Sequence, residues 1–202
     1  MTYPAAGRNT TARSVARAPA TALRMFRLFR PRFHTATIDS LYGVIVAQAR
    51  RPEFYAEFGV PDTVEGRFDM VVLQLAMVLR RLAREPGGEA LGRALLDAFA
   101  RDMDDNLREM GVGDQTVPKR MRAFGEAFYG RIRAYDQAID EGREALASAI
   151  SRNILNGTEL GQARRLAAYV SATDADLSRI DEGTLLRGSF TFPSPLQENV
   201  AP

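Results

Sequence analysis

A chain of 202 residues with 46% hydrophobic side chains has room for one domain with a buried core. It contains no cysteine and a single histidine, His34, which excludes thiol catalysis, disulfides, cysteine-held metals and any site built from several histidines. The formal net charge is only +2, yet residues 1–33 hold seven arginines and no acid, so the remaining 169 residues carry 20 bases against 25 acids.

The Arg-rich leader, residues 1–35, is expected to be disordered, with a composition suited to an anionic surface such as ribosomal RNA or lipid headgroups. It also matches the composition of a mitochondrial transit peptide. Against that, Lys119 is the single lysine among the 27 bases, an arginine bias associated with GC-rich bacterial genomes. Met25, opening "MFRLFRPRFH", is an alternative start. The expected location is the bacterial cytoplasm, peripheral to the inner membrane, with the mitochondrial matrix as the alternative. The best apolar run, "MVVLQLAMVL" at 70–79, contains Gln74 and is too short to cross a bilayer.

From residue 36 onward the apolar positions repeat at helical spacing, with no period-2 strand pattern and no internal repeat. A first helix is predicted from about Ile38 to Arg51, with Leu41, Tyr42, Ile45 and Ala49 on one face. Pro52 opens a short helical turn, "PEFYAEF", which Gly59 and Pro61 stop. Asp62 is predicted to cap a long helix, with Glu65 as its capping-box partner. That helix is apolar almost all round between Phe68 and Leu79, the pattern of a central element. "EPGG" at 85–88 breaks it, and the next helix runs from about Glu89 to Met110, ending at Gly111. Pro118 opens a further helix to about Ile139, with Met121, Phe124, Phe128, Ile132, Tyr135 and Ile139 forming its stripe.

Two more helices are predicted, at about 142–155 and 159–180. Thr158 is the expected cap of the second, and Leu160, Ala163, Leu166, Ala167 and Val170 are expected inside. Residues 187–202, "RGSFTFPSPLQENVAP", read as a Pro/Ser-rich loose tail. The fold class is all-α: a single compact multi-helix bundle over residues 36–186 with flexible N- and C-terminal tails.

The stretch "ARDMDDNLREMGVGDQTVPKR" at 100–120 concentrates the chemistry. At 100° per residue, Leu96, Phe99, Met103, Leu107 and Met110 share a buried arc. Asp102, Asp105 and Glu109 face outward, while Asp104 lies on the other flank beside Arg108. Asp102 and Asp105 offer a pair of carboxylates to a magnesium ion, and "DMDD" echoes the acid motif of class II terpene cyclases, which are much larger proteins. Glycosidase chemistry needs one desolvated acid in a cleft, whereas arginines around an outward face favour ionised carboxylates. "GVGD" lacks the ending of a phosphate-binding loop. A salt-bridged surface, with Arg101–Asp105 and Asp104–Arg108 at i,i+4, accounts for much of the pattern. Acids near a helix C-terminus nevertheless oppose the helix dipole.

A tight turn at Gly111 and Gly113 would set two helices antiparallel, with Lys119 and Arg122 opposite Glu109 and Asp105. Gly125 and Gly130 would leave room for close backbone approach. Tyr129 projects from the apolar stripe on the side of Arg122, Glu126 and Arg133, and Tyr and Arg favour binding hot spots. The candidate protein-binding residues are therefore Asp102, Asp105, Arg108, Glu109, Asp114, Lys119, Arg122, Tyr129 and Arg133, around the structural turn Gly111 and Gly113.

"LYGVIVAQARRPEFYAEFGVPDTVEGRFDMVVLQLAMVLRRL" followed by "DMDDNLREMGVGDQTVPKRMRAFGEAFYGRIRAYDQAI" resembles the ubiquinol–cytochrome c chaperone family, assembly factors of ubiquinol–cytochrome c reductase in mitochondria and alphaproteobacteria. The resemblance spans about 38–140 well, and more loosely to about 180. It implies an all-α, non-catalytic chaperone without cofactor or metal, in which Leu41, Phe54, Phe68 and Phe128 belong to the core. Its implied client is newly made cytochrome b. Mitochondrial members also use a small partner protein and bind near the ribosomal exit tunnel; DNA is not an expected partner. A soluble binder of apolar client helices suits an apolar groove rimmed by charge. Met70, Met77, Met103, Met110 and Met121 are candidates to line one or to fill the core. The alternatives are a generic helical adaptor, or a metal-dependent enzyme using Asp102 and Asp105.

Overall fold

A computed structural model describes residues 35–109, 111, 113, 116–157 and 160–196, apart from the side chain of Phe124. The Arg-rich leader with Met25 and His34, together with Met110, Asp114, Thr158 and residues 197–202, lies outside the described residues.

The fold is all-α. In chain order the helices are α1 (Thr35–Ala49), α2 (Pro52–Ala56), α3 (Val64–Ala83), α4 (Gly88–Glu109), α5 (Val117–Glu141), α6 (Arg143–Asn153), α7 (Leu160–Arg179) and α8 (Glu182–Leu186). Helix α3 is the hub, packed by α1, α4, α5 and α7, while α6 lies against α5 and α7. Its composition dictates that position: every residue from Asp69 to Val78 is buried, so no face of that stretch is left for water. Around it, α1 presents Leu41, Ile45 and Ala49, α5 presents Phe128 and Tyr135, and α7 presents Ala163, Leu166, Ala167 and Val170, all buried. Met70 and Met77 are fully buried core residues, and Met103 packs against the core partly buried.

The start of α3 differs from expectation. Thr63, not Asp62, is its N-cap, accepting the Gly66 N–H at 3.1 Å. Asp62 is drawn instead to Arg67, whose Nε donates to it at 2.7 Å. Gly66 explains the tight entry: a Cβ there would lie 2.0 Å from the Pro61 carbonyl oxygen. Leu160, expected inside, is 47% exposed because it occupies the open first turn of α7.

The segment after α8 also departs from the expected loose tail. Phe190 and Phe192 are buried against each other at a centroid distance of 5.6 Å and belong to the core cluster. Gln48 holds the following residues by donating to the Pro193 carbonyl at 3.0 Å. The described helical domain therefore continues past Leu186 to at least Pro195, because Phe190, Phe192 and Pro195 are all buried. Helix α8 is a single turn capped by Asp181, which accepts the Thr184 N–H at 2.9 Å.

Two arginines near the C-terminal end of α3 tie the bundle together. Arg80 is buried and bridges Asp136 and Asp140 of α5, with its Nε 3.3 Å from Asp174 of α7. Arg81 donates to the Leu177 and Ile180 carbonyls at 2.8 Å each, tying α3 to the end of α7.

Candidate protein-binding surface

The surface singled out by sequence is built on α4 and α5. Helix α4 ends because Gly111 adopts φ +75°, which L side chains rarely adopt, and its N–H returns to the Arg108 carbonyl at 2.9 Å. The Gly113 carbonyl then accepts from Thr116 N–H at 2.8 Å, and Pro118 sits in the first turn of α5. An aromatic row fixes the two helices to the core: Phe68–Phe99 at 6.0 Å, Phe99 stacked on Phe128 at 4.6 Å, and Phe128 edge-on to Tyr129 at 5.3 Å. The row leads from the interior outward, since Phe128 is buried and Tyr129 is 58% exposed.

The acids of α4 do not act as one group. Asp102 is partly buried and committed to structure. It accepts the Tyr42 hydroxyl at 2.7 Å, which pins α1 to α4, and its Oδ1 accepts from Asn106 at 3.2 Å. Burial, and then the Asp102 carboxylate, hold the Tyr42 phenol well above its ordinary pKa. Asp104 pairs with Arg108 at 2.7 Å, as its i,i+4 spacing predicts. The matching Arg101–Asp105 pair does not form: both side chains are exposed, and water competes well for such a contact. Asp105 and Glu109 thus remain on the open face while Asp102 turns inward. Among the described residues no three potential ligands converge on a metal position.

Helix α5 contributes Lys119, Arg120, Arg122 and Arg133, all exposed. No ion pair joins them to α4 among the described residues, so the expected Lys119 and Arg122 pairing with Glu109 and Asp105 is absent. The expected close backbone approach at Gly125 and Gly130 is absent too, since a Cβ at either would meet nothing within 4 Å.

Sequence reasoning missed a buried charge beneath this surface. Asp69 of α3 lies 3.1 Å from Arg131 of α5, and the Arg131 guanidinium sits 5.8 Å from the Phe68 ring centroid. Burial pushes the Asp69 carboxyl up to about 6, with Arg131 opposing that rise. Tyr135, fully buried nearby, has its phenol raised by burial and then by Asp69. The signal was available: an acid in the first turns of an apolar helix and an arginine beside a stripe phenylalanine. Elsewhere, a concavity of about 430 Å³ is lined by Arg50, Pro52, Tyr55, Ala56, Asp62 and Arg67.

Comparison with known proteins bears on what this arrangement serves. Residues 56–192 match the sequence model described as "Ubiquinol-cytochrome C chaperone". The chain is 28% identical over 166 residues to ubiquinol-cytochrome-c reductase complex assembly factor 1 of Xenopus laevis, covering 80% of this chain and 82% of that one. It is 26% identical over 164 residues to the Homo sapiens factor of the same name, covering 79% of this chain and 54% of the human protein. The crystal structure of the Cbp3 homolog from Brucella abortus superposes with a TM-score of 0.75 at 40% identity, covering 86% of this chain and 97% of that one. The fold and the matched span agree, and the chain belongs to the ubiquinol–cytochrome c chaperone family.

Proposed function

We propose that this protein is an assembly factor of ubiquinol–cytochrome c reductase that binds newly made cytochrome b and holds it until the complex forms, without performing chemistry of its own. The family match over residues 56–192 carries this reading, and the names of the vertebrate relatives agree with it. The residue inventory agrees as well. With no cysteine, and a single histidine at position 34, the domain lacks the side chains that most acid–base and nucleophilic chemistry near neutral pH relies on.

The contact surface in this reading is the open, acidic face of α4 beside the α4–α5 turn. Loops of a membrane protein on the side where it is made are enriched in Lys and Arg. The open carboxylates of Asp105 and Glu109 complement such loops, and Glu109 is easier to recruit because it opposes the dipole of its own helix. No helix among the described residues is long and apolar enough to cross a membrane. The test is crosslinking and affinity capture from solubilised membranes, with Glu109→Lys beside the unaltered protein. Capture of cytochrome b that weakens in the variant, at unchanged thermal stability, supports the reading. Capture of a soluble protein in place of cytochrome b would identify an adaptor instead.

A further inference from the structure

We propose that the outward face of α5 is a docking surface for an anionic lipid bilayer. The inference rests on the assembly reading only in that the client is a membrane protein. At 100° and 1.5 Å per residue, Lys119, Arg122, Glu126, Tyr129 and Arg133 fall within an arc of about 80° that extends for about 21 Å. The buried residues of α5, Val117, Phe128, Tyr135 and Ala138, lie on the opposite side. All five outward side chains are exposed, and the three bases engage no ion pair among the described residues. Glu126 is the only acid of the arc. Of the acids farther along the helix, Asp136 and Asp140 are taken by Arg80, and Glu141, its last residue, accepts from Gln137. A cationic face thus stands open on a domain whose charge outside the leader is net negative.

The geometry favours lipid over a protein partner. Stable protein interfaces are organised around a desolvated apolar centre, and Tyr129 is the only large exposed apolar side chain described on this helix. The face is a convex ridge, and a Cβ at Gly130 would meet nothing within 4 Å. Lipid headgroups can rearrange around separated bases, whereas a folded protein must match them. Tyrosine is also a residue that settles at the headgroup level, with its ring toward the chains and its hydroxyl toward water. A base near an anionic leaflet strengthens attachment about fivefold. Three of them with a tyrosine anchor give a weak, reversible hold suited to a protein that must leave once its client is assembled.

The test is co-sedimentation of the full chain with vesicles of phosphatidylcholine alone, or of equal parts phosphatidylcholine and phosphatidylglycerol. The leader is present in every variant, so its contribution is constant. Binding is expected on the anionic vesicles only. It should fall at least about a hundredfold in Lys119→Glu/Arg122→Glu/Arg133→Glu and several-fold in Tyr129→Ala. Reversal of exposed bases elsewhere, Arg143→Glu/Arg152→Glu on α6, should have little effect. If the triple reversal does not fold, the corresponding triple Gln variant serves in its place. Unchanged binding by the α5 variant, equal loss in the α6 control, or equal binding to both vesicles overturns the proposal. Tighter binding to a single-stranded RNA, with the same variant sensitivity, also overturns it by assigning the face to nucleic acid. Cytochrome b capture in detergent extract tests the assembly reading independently, so the two can fail separately.

Discussion

Replacing Arg80 with methionine tests how much of the bundle depends on one buried charge. The substitution keeps most of the aliphatic stem and removes the guanidinium that joins α3 to Asp136 and Asp140 of α5 and to Asp174 of α7. The three partners differ in what they lose. The side chains of Asp136 and Asp140 are 55% and 65% exposed and can return to water, whereas that of Asp174 is only 18% exposed. Breaking a fully buried pair costs about 3–5 kcal/mol because a charge is stranded. With one of three partners stranded here, the expected loss is about 2–3 kcal/mol. For a chain of this size that lowers the melting temperature by about 4–12 °C. Equilibrium urea unfolding should show a lower midpoint with an unchanged slope. Adding Asp174→Asn should recover about 1 kcal/mol, since the stranded charge is gone. A neutral or stabilising Arg80→Met, or a double variant no better than the single, would show that Arg80 contributes packing and not charge pairing.

Three further outcomes follow from local geometry. Gly66→Ala forces a methyl against the Pro61 carbonyl and should destabilise by about 2 kcal/mol or more, whereas Gly43→Ala in α1 meets open space and should stabilise by about 0.5–1 kcal/mol; paired thermal melts decide. Phe190→Ala should lower stability by about 3 kcal/mol, measured by urea unfolding, because that ring is buried in the core cluster; a negligible loss would return residues 187–196 to a dispensable tail. The Asp69 carboxyl, raised by burial to about 6, favours its protonated form in the folded state. Its contribution is therefore fully present below the unfolded value near 3.8 and is lost as pH rises through about 6. Asp69→Asn should gain on the unaltered protein between pH 4 and 7, and an NMR titration placing this carboxyl below 4 would remove the basis for that expectation.

Periodicity reveals most of this fold because nearly every helix has one dominant apolar face. The all-round apolar stretch of α3 identified the hub, and glycine and proline marked the breaks at 59–61, 85–88 and 111–118. What periodicity could not reveal were contacts between residues distant in sequence. Asp102 looked like a free surface acid until Tyr42, sixty positions away, occupied it. Nothing local marks Arg80 and Arg81 as internal, and only the approach of α5 and α7 turns them into ties across the bundle. The stretch "FTFP" read as part of a loose tail, and its two rings find their place only in the assembled core. For the candidate surface, helical spacing correctly separated Tyr129 and Glu109 from the buried stripes. It could not show that the basic face of α5 and the acids of α4 would remain unpaired with each other, because that depends on how the two helices rotate around the Phe99–Phe128 stack.

The assembly role is tested most directly by deleting the gene and quantifying cytochrome b and assembled ubiquinol–cytochrome c reductase in membranes, with an unrelated respiratory complex as the reference. The account predicts that both are depleted, that the reference complex is unchanged, and that the unaltered gene restores them. Normal cytochrome b and reductase in the deletion strain would contradict it.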